Sequence, residues 1–148
     1  MSDQHVHDAR PRVILVEDAD AERAMLRELL EGEGVDVVGE AANGADGIDL
    51  SLEHRPDVVL MDLRMPVVGG IEATRRIKER LPFTQVIILT VYGGPLPGRS
   101  AEDVGAYAYL VKGCSVAFIR DVIFQAWLHG RGVRVRKEEG SRESGRAG

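Results

Sequence analysis

Five short apolar runs organise this chain, separated by stretches in which apolar residues return every three or four positions. The first, Arg12-Val13-Ile14-Leu15-Val16, is rich in β-branched residues and stops abruptly at Glu17-Asp18, the pattern of a strand buried on both faces. Further strands are predicted over 35–39, 57–61, 85–89 and 107–111. Between the first two, Met25, Leu26, Leu29 and Leu30 share one helical face behind Asp20, a candidate cap, and Gly32 and Gly34 end the helix. Asn43-Gly44 marks a turn, after which Ala45, Ile48 and Leu52 recur at helical spacing until Pro56 breaks it. Pro66 to Gly70 reads as a loop, and Ile71, Thr74, Ile77 and Leu81 trace a third helical face ahead of Pro82.

The segment Gly93-Gly94-Pro95-Leu96-Pro97-Gly98 holds three glycines and two prolines in six positions and cannot be regular helix. The sequence therefore predicts a shortened fourth helix, capped by Ser100 and closed by Gly105, and a last helix opened by Ser115 and running to about Leu128. Strands alternating with helices predict an α/β fold: a doubly wound, five-stranded parallel sheet with right-handed crossovers and helices on both faces. In such folds the ligand site lies at the carboxyl ends of the strands.

With 148 residues, 44% of them hydrophobic, the chain can bury one full core. The expected organisation is a polar leader over 1–11, one domain over 12–129, and a disordered tail over 130–148, because from Arg131 onward Gly, Arg and Glu dominate and apolar residues are few. The net charge of −5 argues against direct nucleic-acid binding by this domain. The apolar runs are strand-length and the leader lacks a hydrophobic segment, so neither membrane insertion nor export is expected. The single cysteine, Cys114, has no internal disulfide partner, which fits a cytoplasmic setting, and it is read as a packing residue. His5 and His7 stand two apart in the polar leader and are assigned no metal.

The strand ends carry the chemistry. Glu17-Asp18, Asp62, Thr90 and Lys112 each follow an apolar run directly, so they should converge at one edge of the sheet. Three carboxylates brought together repel unless a hard divalent cation with oxygen ligands neutralises them, and Mg²⁺ suits a site where a phosphoryl oxygen completes the coordination shell. Lys112 offers a compact positive charge and Thr90 a hydroxyl donor for the remaining phosphoryl oxygens. Without a Ser-His or Cys-His pair the candidate nucleophile is a carboxylate, and Asp62, after the central run, is best placed.

The acidic pair after Val13-Ile14-Leu15-Val16, the stretch Pro56-Asp57-Val58-Val59-Leu60-Met61-Asp62-Leu63-Arg64-Met65-Pro66, Thr90, and Tyr109-Leu110-Val111-Lys112 resemble the receiver domain of bacterial two-component response regulators, in family order and spacing over about residues 12 to 129. The resemblance implies a flavodoxin-like strand order 2-1-3-4-5 and a phosphorelay role. Asp62 would accept a phosphoryl group from a sensor histidine kinase or phosphotransfer protein. Asp18, Asp62 and the backbone carbonyl of Arg64 would contact Mg²⁺, with Glu17 acting mainly through metal-bound water. Lys112 would pair with the phosphoryl group, Thr90 would move to hydrogen-bond it, and Tyr109 would change rotamer, a two-state binding switch for a downstream protein target. The resemblance also implies autophosphorylation and autodephosphorylation at Asp62 rather than conventional enzyme turnover.

Three features depart from the family pattern. Gly113 stands where most receivers have proline after the lysine, and since a cis bond without proline costs about 2.5–4 kcal/mol, the sequence leaves the 112–113 peptide open between cis and trans. Val91, usually a small residue, predicts restricted access of water to an acyl phosphate and slow dephosphorylation. The Gly-Pro segment over 93–98 replaces the start of the family's fourth helix and predicts an atypical output surface that orders on activation.

On the last helix, Val116, Ile119, Val122, Ile123 and Ala126 form a core face while Phe118, Phe124 and Leu128 point elsewhere, predicting a contact surface and a homodimer through it. No stretch after Leu128 is long or apolar enough for an output domain, which predicts a stand-alone binding module. The alternative is the receiver portion of a longer DNA-binding transcriptional regulator, since Asp62-Leu63-Arg64-Met65-Pro66 with Gly113 resembles the subfamily often followed by a helix-turn-helix. A phosphohydrolase with an aspartyl-phosphate intermediate would need a second Asp two residues after the nucleophile, where Arg64 stands. A scaffold-only receiver is disfavoured because every site group is present.

Overall fold

The computed structural model describes residues 10–63, 69–91 and 104–147, with the backbone alone described from 141 onward. Five strands, β1 (Arg12–Val16), β2 (Asp36–Ala41), β3 (Val58–Asp62), β4 (Gln85–Thr90) and β5 (Ala108–Val111), form one parallel sheet in the order β2-β1-β3-β4-β5. Among the described residues there are four helices: α1 (Asp20–Gly32), α2 (Gly44–His54), α3 (Gly70–Arg80) and α4 (Val116–Ala147). The expected doubly wound architecture and strand order are both present. The expected fourth helix, its cap Ser100 and the Gly-Pro segment lie outside the described residues.

The central strands bury side chains on both faces, which is why they read as continuous apolar runs rather than alternating ones. On one face Val13, Leu15, Val58, Leu60, Ile87 and Leu89 pack with Leu30 of α1 and Ile119, Val122, Ile123 and Ala126 of α4. On the other, Ile14, Val16, Val59, Met61, Val86 and Ile88 pack with Ala73 and Ile77 of α3 and the partly buried Ile48 and Leu52 of α2. Helices α2 and α3 thus cover one layer, and α1 and α4 the other.

Several local expectations shift. Asp20 is the first residue of α1 rather than its cap: the extended Ala19 precedes the helix with no side-chain cap, and Asp20 pairs with Arg23 at 2.7 Å. Asn43 caps α2, its side chain accepting from the Asp46 amide at 2.8 Å. Phe124 does not point away from the core; it is partly buried against the first cluster, edge-on to Trp127 at 5.8 Å, with the Arg120 guanidinium 4.4 Å from its ring centre. The other two residues expected to face outward do so, Phe118 being 48% and Leu128 62% exposed.

The largest difference is at the carboxyl end. Disorder was expected over 130–148, yet α4 continues to Ala147, 32 residues or about 48 Å at 1.5 Å per residue. Its second half is held by local terms, with Arg, Lys and Glu as good helix formers and an Arg134–Glu138 pair at 3.4 Å across one turn. Gly130, which weakens a helix by its intrinsic propensity, is required by packing: a Cβ there would lie 2.8 Å from the Phe83 carbonyl oxygen.

Candidate functional site

Strand register places the site. Val16 pairs with Met61, Asp62 with Leu89, and Thr90 with Val111, so Glu17, Asp62, Thr90 and Lys112 are carried to one end of the sheet on four strands or their immediate extensions. The β1–β2 pairing, whose register slips between Val13 and Ile14, also reaches this end, where the Glu17 amide donates to the Ala41 carbonyl at 3.0 Å.

Glu17, Asp18 and Asp62 each present a carboxylate oxygen, and the three atoms lie within 4.8 Å of one another. Glu17 and Asp62 are buried, at 7% and 5% exposed, whereas Asp18 is exposed. Lys112 Nζ bridges the two buried carboxylates, donating to Glu17 Oε2 at 3.0 Å and Asp62 Oδ2 at 3.3 Å. The donor set is all oxygen, and an exposed carboxylate beside buried ones leaves an approach from solvent. A hard divalent cation fits that set.

The electrostatics of the pair pull in opposite directions. Burial pushes the Glu17 carboxyl above the usual carboxylate range and the neighbouring Asp62 charge adds to this, against hydrogen bonds from Lys112 and from the Ala19 amide. For Lys112 burial is the largest single influence and works downward, but the contacts with Glu17 and Asp62 together hold its ammonium above the usual lysine range. The geometry of one ammonium between two carboxylates favours the charged lysine.

Thr90 ends β4 fully buried, and its carbonyl accepts from the Lys112 amide at 2.6 Å, which ties the lysine backbone to the end of the neighbouring strand. Tyr109 is partly buried against the α2–α3 face of the sheet. The Lys112–Gly113 peptide is trans, as are all those described, and Gly113 sits at φ +101, a conformation that side-chain-bearing residues rarely adopt. That is a local reason for glycine after the lysine. Arg64 and the 92–103 segment lie outside the described residues, while Val91 is 51% exposed just beyond Thr90.

The sequence reading missed three supporting residues. Glu22 in the first turn of α1 brings its carboxylate to 3.6 Å from Lys112 Nζ. Arg23 donates to the Glu17 carbonyl at 2.6 Å and also pairs with Glu40, bracing the loop after β1. Gly70, at the start of α3, has room for no side chain: a Cβ would lie 2.4 Å from the Asp62 carbonyl oxygen and 2.9 Å from Leu63 Cα. The adjacent pair Gly69-Gly70 is the available signal, since glycine permits close backbone approach, but by local pattern alone it marks only the end of a loop.

A doubly wound parallel sheet with an acidic trio and a bridging lysine at its carboxyl edge is the class of structure defined so far. Comparison with known proteins narrows it: the response regulator receiver domain model matches residues 13–124, and the chain belongs to that family. It is 39% identical over 118 residues to the response regulator GacA of Pseudomonas aeruginosa, covering 78% of this chain and 55% of that protein. It is 42% identical over 116 residues to the response regulator UvrY of Escherichia coli, covering 74% of this chain and 53% of that protein. Among solved structures, a LuxR-family two-component response regulator from Aurantimonas superposes with a TM-score of 0.76 at 34% identity, covering 82% of this chain and 87% of the other. The chain spans about half the length of the curated relatives it matches. Among the described residues no helix is long and apolar enough to cross a membrane.

Proposed function

We propose that Asp62 is the phosphoacceptor of this receiver, taking its phosphoryl group from the phosphohistidine of a sensor histidine kinase or phosphotransfer protein. An Asp62 carboxylate oxygen forms the new O–P bond, the P–N bond breaks, and its electron pair returns to the imidazole. The observation that carries this reading is the convergence of the Glu17, Asp18 and Asp62 carboxylates beneath Lys112. Asp62 is held by pairing with Leu89 of β4 and by Met61 before it, which pairs with both Val16 and Ile88, so its approach geometry is built into the sheet.

Asp18, Asp62 and the Arg64 carbonyl would hold Mg²⁺, with Glu17 reaching it through water; the ion, when bound, supplies positive charge against the phosphoryl oxygens. Lys112 supplies a second cation for those oxygens, exchanging its contacts with Glu17 and Asp62 for the incoming charge. The Thr90 hydroxyl and the Tyr109 ring are the switch elements, and a downstream protein is the target whose affinity they alter. A cytoplasmic setting follows from the histidine-kinase source. The exposed Phe118 and Leu128 on α4 support a homodimer through that helix. Because the matched region covers only about half of those relatives, the reading of this chain as the receiver portion of a DNA-binding regulator stands beside the stand-alone module, and both use the same phosphoacceptor.

Acetyl phosphate with Mg²⁺, followed by intact mass measurement of the parent and of Asp62→Asn, tests the proposal. The parent should gain one phosphoryl group and the variant none; a parent that gains nothing, or a variant that gains as much, overturns it.

A further inference from the structure

At the amino edge of the sheet, opposite the acidic site, two adjoining cavities of about 310 and 490 Å³ share Asp57, Trp127, Arg131 and Arg134 as walls. Among the described residues, they are lined by Arg10, Arg12, Arg55, Arg80, Arg131 and Arg134 against two carboxylates, Asp57 and Glu138. This is a concentrated positive patch on a chain whose net charge is −5. Both acids are engaged locally, Asp57 by the Arg12 amide at 2.8 Å and Glu138 by Arg134 Nε at 3.4 Å. Among the described residues, Arg10, Arg55, Arg80 and Arg131 form no ion pair with a carboxylate.

The smaller cavity is two-sided. Pro56, Leu81, Pro82, Phe83 and Trp127 give it apolar walls, and Arg55, Arg80, Arg131 and Arg134 a cationic rim. Its shape is fixed by close contacts. The Thr84 hydroxyl donates to the Pro56 carbonyl at 2.7 Å, and Gly130 lets α4 approach the Phe83 carbonyl where a Cβ would be 2.8 Å away. Arg55 stands at φ +48, the one described non-glycine residue in the left-handed region, where it ends α2 and lines the rim. The Arg131 guanidinium lies 5.2 Å from the Trp127 ring centre, so cation and aromatic surface are adjacent within the site.

From this arrangement we infer that the amino edge of the sheet is a second binding site, for a nucleotide bearing two or more phosphates. A flat, weakly polar base matches the proline, Phe83 and Trp127 walls, and the phosphates match guanidinium groups that present planar, multiply donating forks. The volume lies at the small end of the range for ligand pockets, suited to a mononucleotide. An extended nucleic-acid backbone would instead require the arginines along an open surface, whereas four of the six line one concave pocket beside apolar walls.

Trp127 is the only tryptophan in the chain, so its fluorescence reports this site alone. The full chain, without Mg²⁺ and at fixed ionic strength, is titrated with ATP, tripolyphosphate, adenosine and a duplex oligonucleotide. ATP should change the emission saturably, tripolyphosphate should bind at least about tenfold more weakly, and adenosine should not bind measurably. Arg80→Ala and Arg134→Ala should each weaken ATP binding by about tenfold or more while retaining the parent melting temperature and acetyl phosphate labelling. No saturable response to ATP overturns the inference, as do equal affinities for ATP and tripolyphosphate, or for ATP in parent and both variants. A response confined to the duplex assigns the patch to nucleic acid and overturns it too. None of these outcomes bears on Asp62, whose labelling is measured separately.

Discussion

Replacing Gly70 by alanine tests how tightly the candidate phosphoacceptor is built into its surroundings. The new Cβ would stand 2.4 Å from the Asp62 carbonyl oxygen, 1.0 Å short of the 3.4 Å at which ordinary contact begins, with Leu63 Cα at 2.9 Å behind it. Both obstacles are backbone. The carbonyl belongs to the last residue of β3, which pairs with Leu89 of β4, and the Gly70 amide itself donates to the Leu63 carbonyl at 3.3 Å. Relief therefore requires either α3 or the end of β3 to move by about 1 Å, and overpacking of this kind costs on the order of 1–3 kcal/mol. Part of that is offset because alanine is the better helix former, by up to about 1 kcal/mol in a helix interior and less at a first turn.

A net loss of about 2 kcal/mol corresponds to a melting temperature lower by about 4–8 °C for a domain of this size. Displacement of the proposed nucleophile, Asp62, by the same distance should slow labelling by acetyl phosphate about tenfold to a hundredfold. Gly69→Ala is the control, since nothing lies within 4 Å of a Cβ there and its φ of −69° suits any residue. Thermal denaturation and the rate of phosphoryl-mass gain are measured for parent and both variants. A Gly70→Ala protein that melts within about 1 °C of the parent and labels within about twofold of its rate would refute the packing argument.

Lys112→Met strips the buried Glu17 and Asp62 carboxylates of their shared cation and, with the lysine 26% exposed, should cost about 1–3 kcal/mol in metal-free buffer. MgCl₂ should then raise the variant's melting temperature more than the parent's, and an equal response in both would count against an electrostatic role for the lysine. Glu72 is lowered to about 2 by hydrogen bonds from Arg75 and Arg76, so the unfolded chain binds the proton more readily and the stabilisation is present above pH 4.5 and lost as pH falls toward 2. The melting-temperature difference between the parent and Glu72→Gln should shrink across that window and with added salt; a constant difference would refute the linkage. Val91→Ala, which trims an exposed side chain one residue beyond Thr90, should speed loss of the phosphoryl label, and an unchanged decay rate would remove Val91 from the account of hydrolysis.

Much of this was legible because the strands are buried on both faces. Val58-Val59-Leu60-Met61 and Val86-Ile87-Ile88-Leu89 leave little room for another reading, and the polar residue that breaks each run is the one parallel pairing then brings to the site. The apolar pattern puts Asp62 and Thr90 just outside their strands, yet each is the last paired residue, since a parallel ladder can continue through a polar side chain that faces the crevice. What could not be read is whatever depends on a backbone from elsewhere in the chain. Nothing local distinguishes Gly70, which must be glycine because of Asp62, from Gly69, which meets nothing. Nor does the heptapeptide around Glu22 announce that its carboxylate meets Lys112, ninety residues away.

The final helix shows the same division between local and distant causes, and it decides where the second site can exist. The segment after Leu128 lacks a continuous apolar stripe and contains Gly130, Gly132 and Gly140, which argues for disorder when each residue is weighed by its own propensity. In the fold, Gly130 is the point at which α4 lies against the Phe83 carbonyl, and Trp127, one turn earlier, packs against the core. Continuing the helix from that anchor requires no new nucleation, so the high propensity of Arg, Lys and Glu suffices to extend it past the glycines. The arginines counted as evidence of a solvated tail are then carried back over the amino edge of the sheet at helical spacing, where Arg131 and Arg134 join Arg55 and Arg80 around one cavity. Disrupting the anchor rather than the arginines therefore separates the two effects: Gly130→Ala should weaken ATP binding with every guanidinium retained, and unchanged affinity would show that the cavity does not depend on the helix contact.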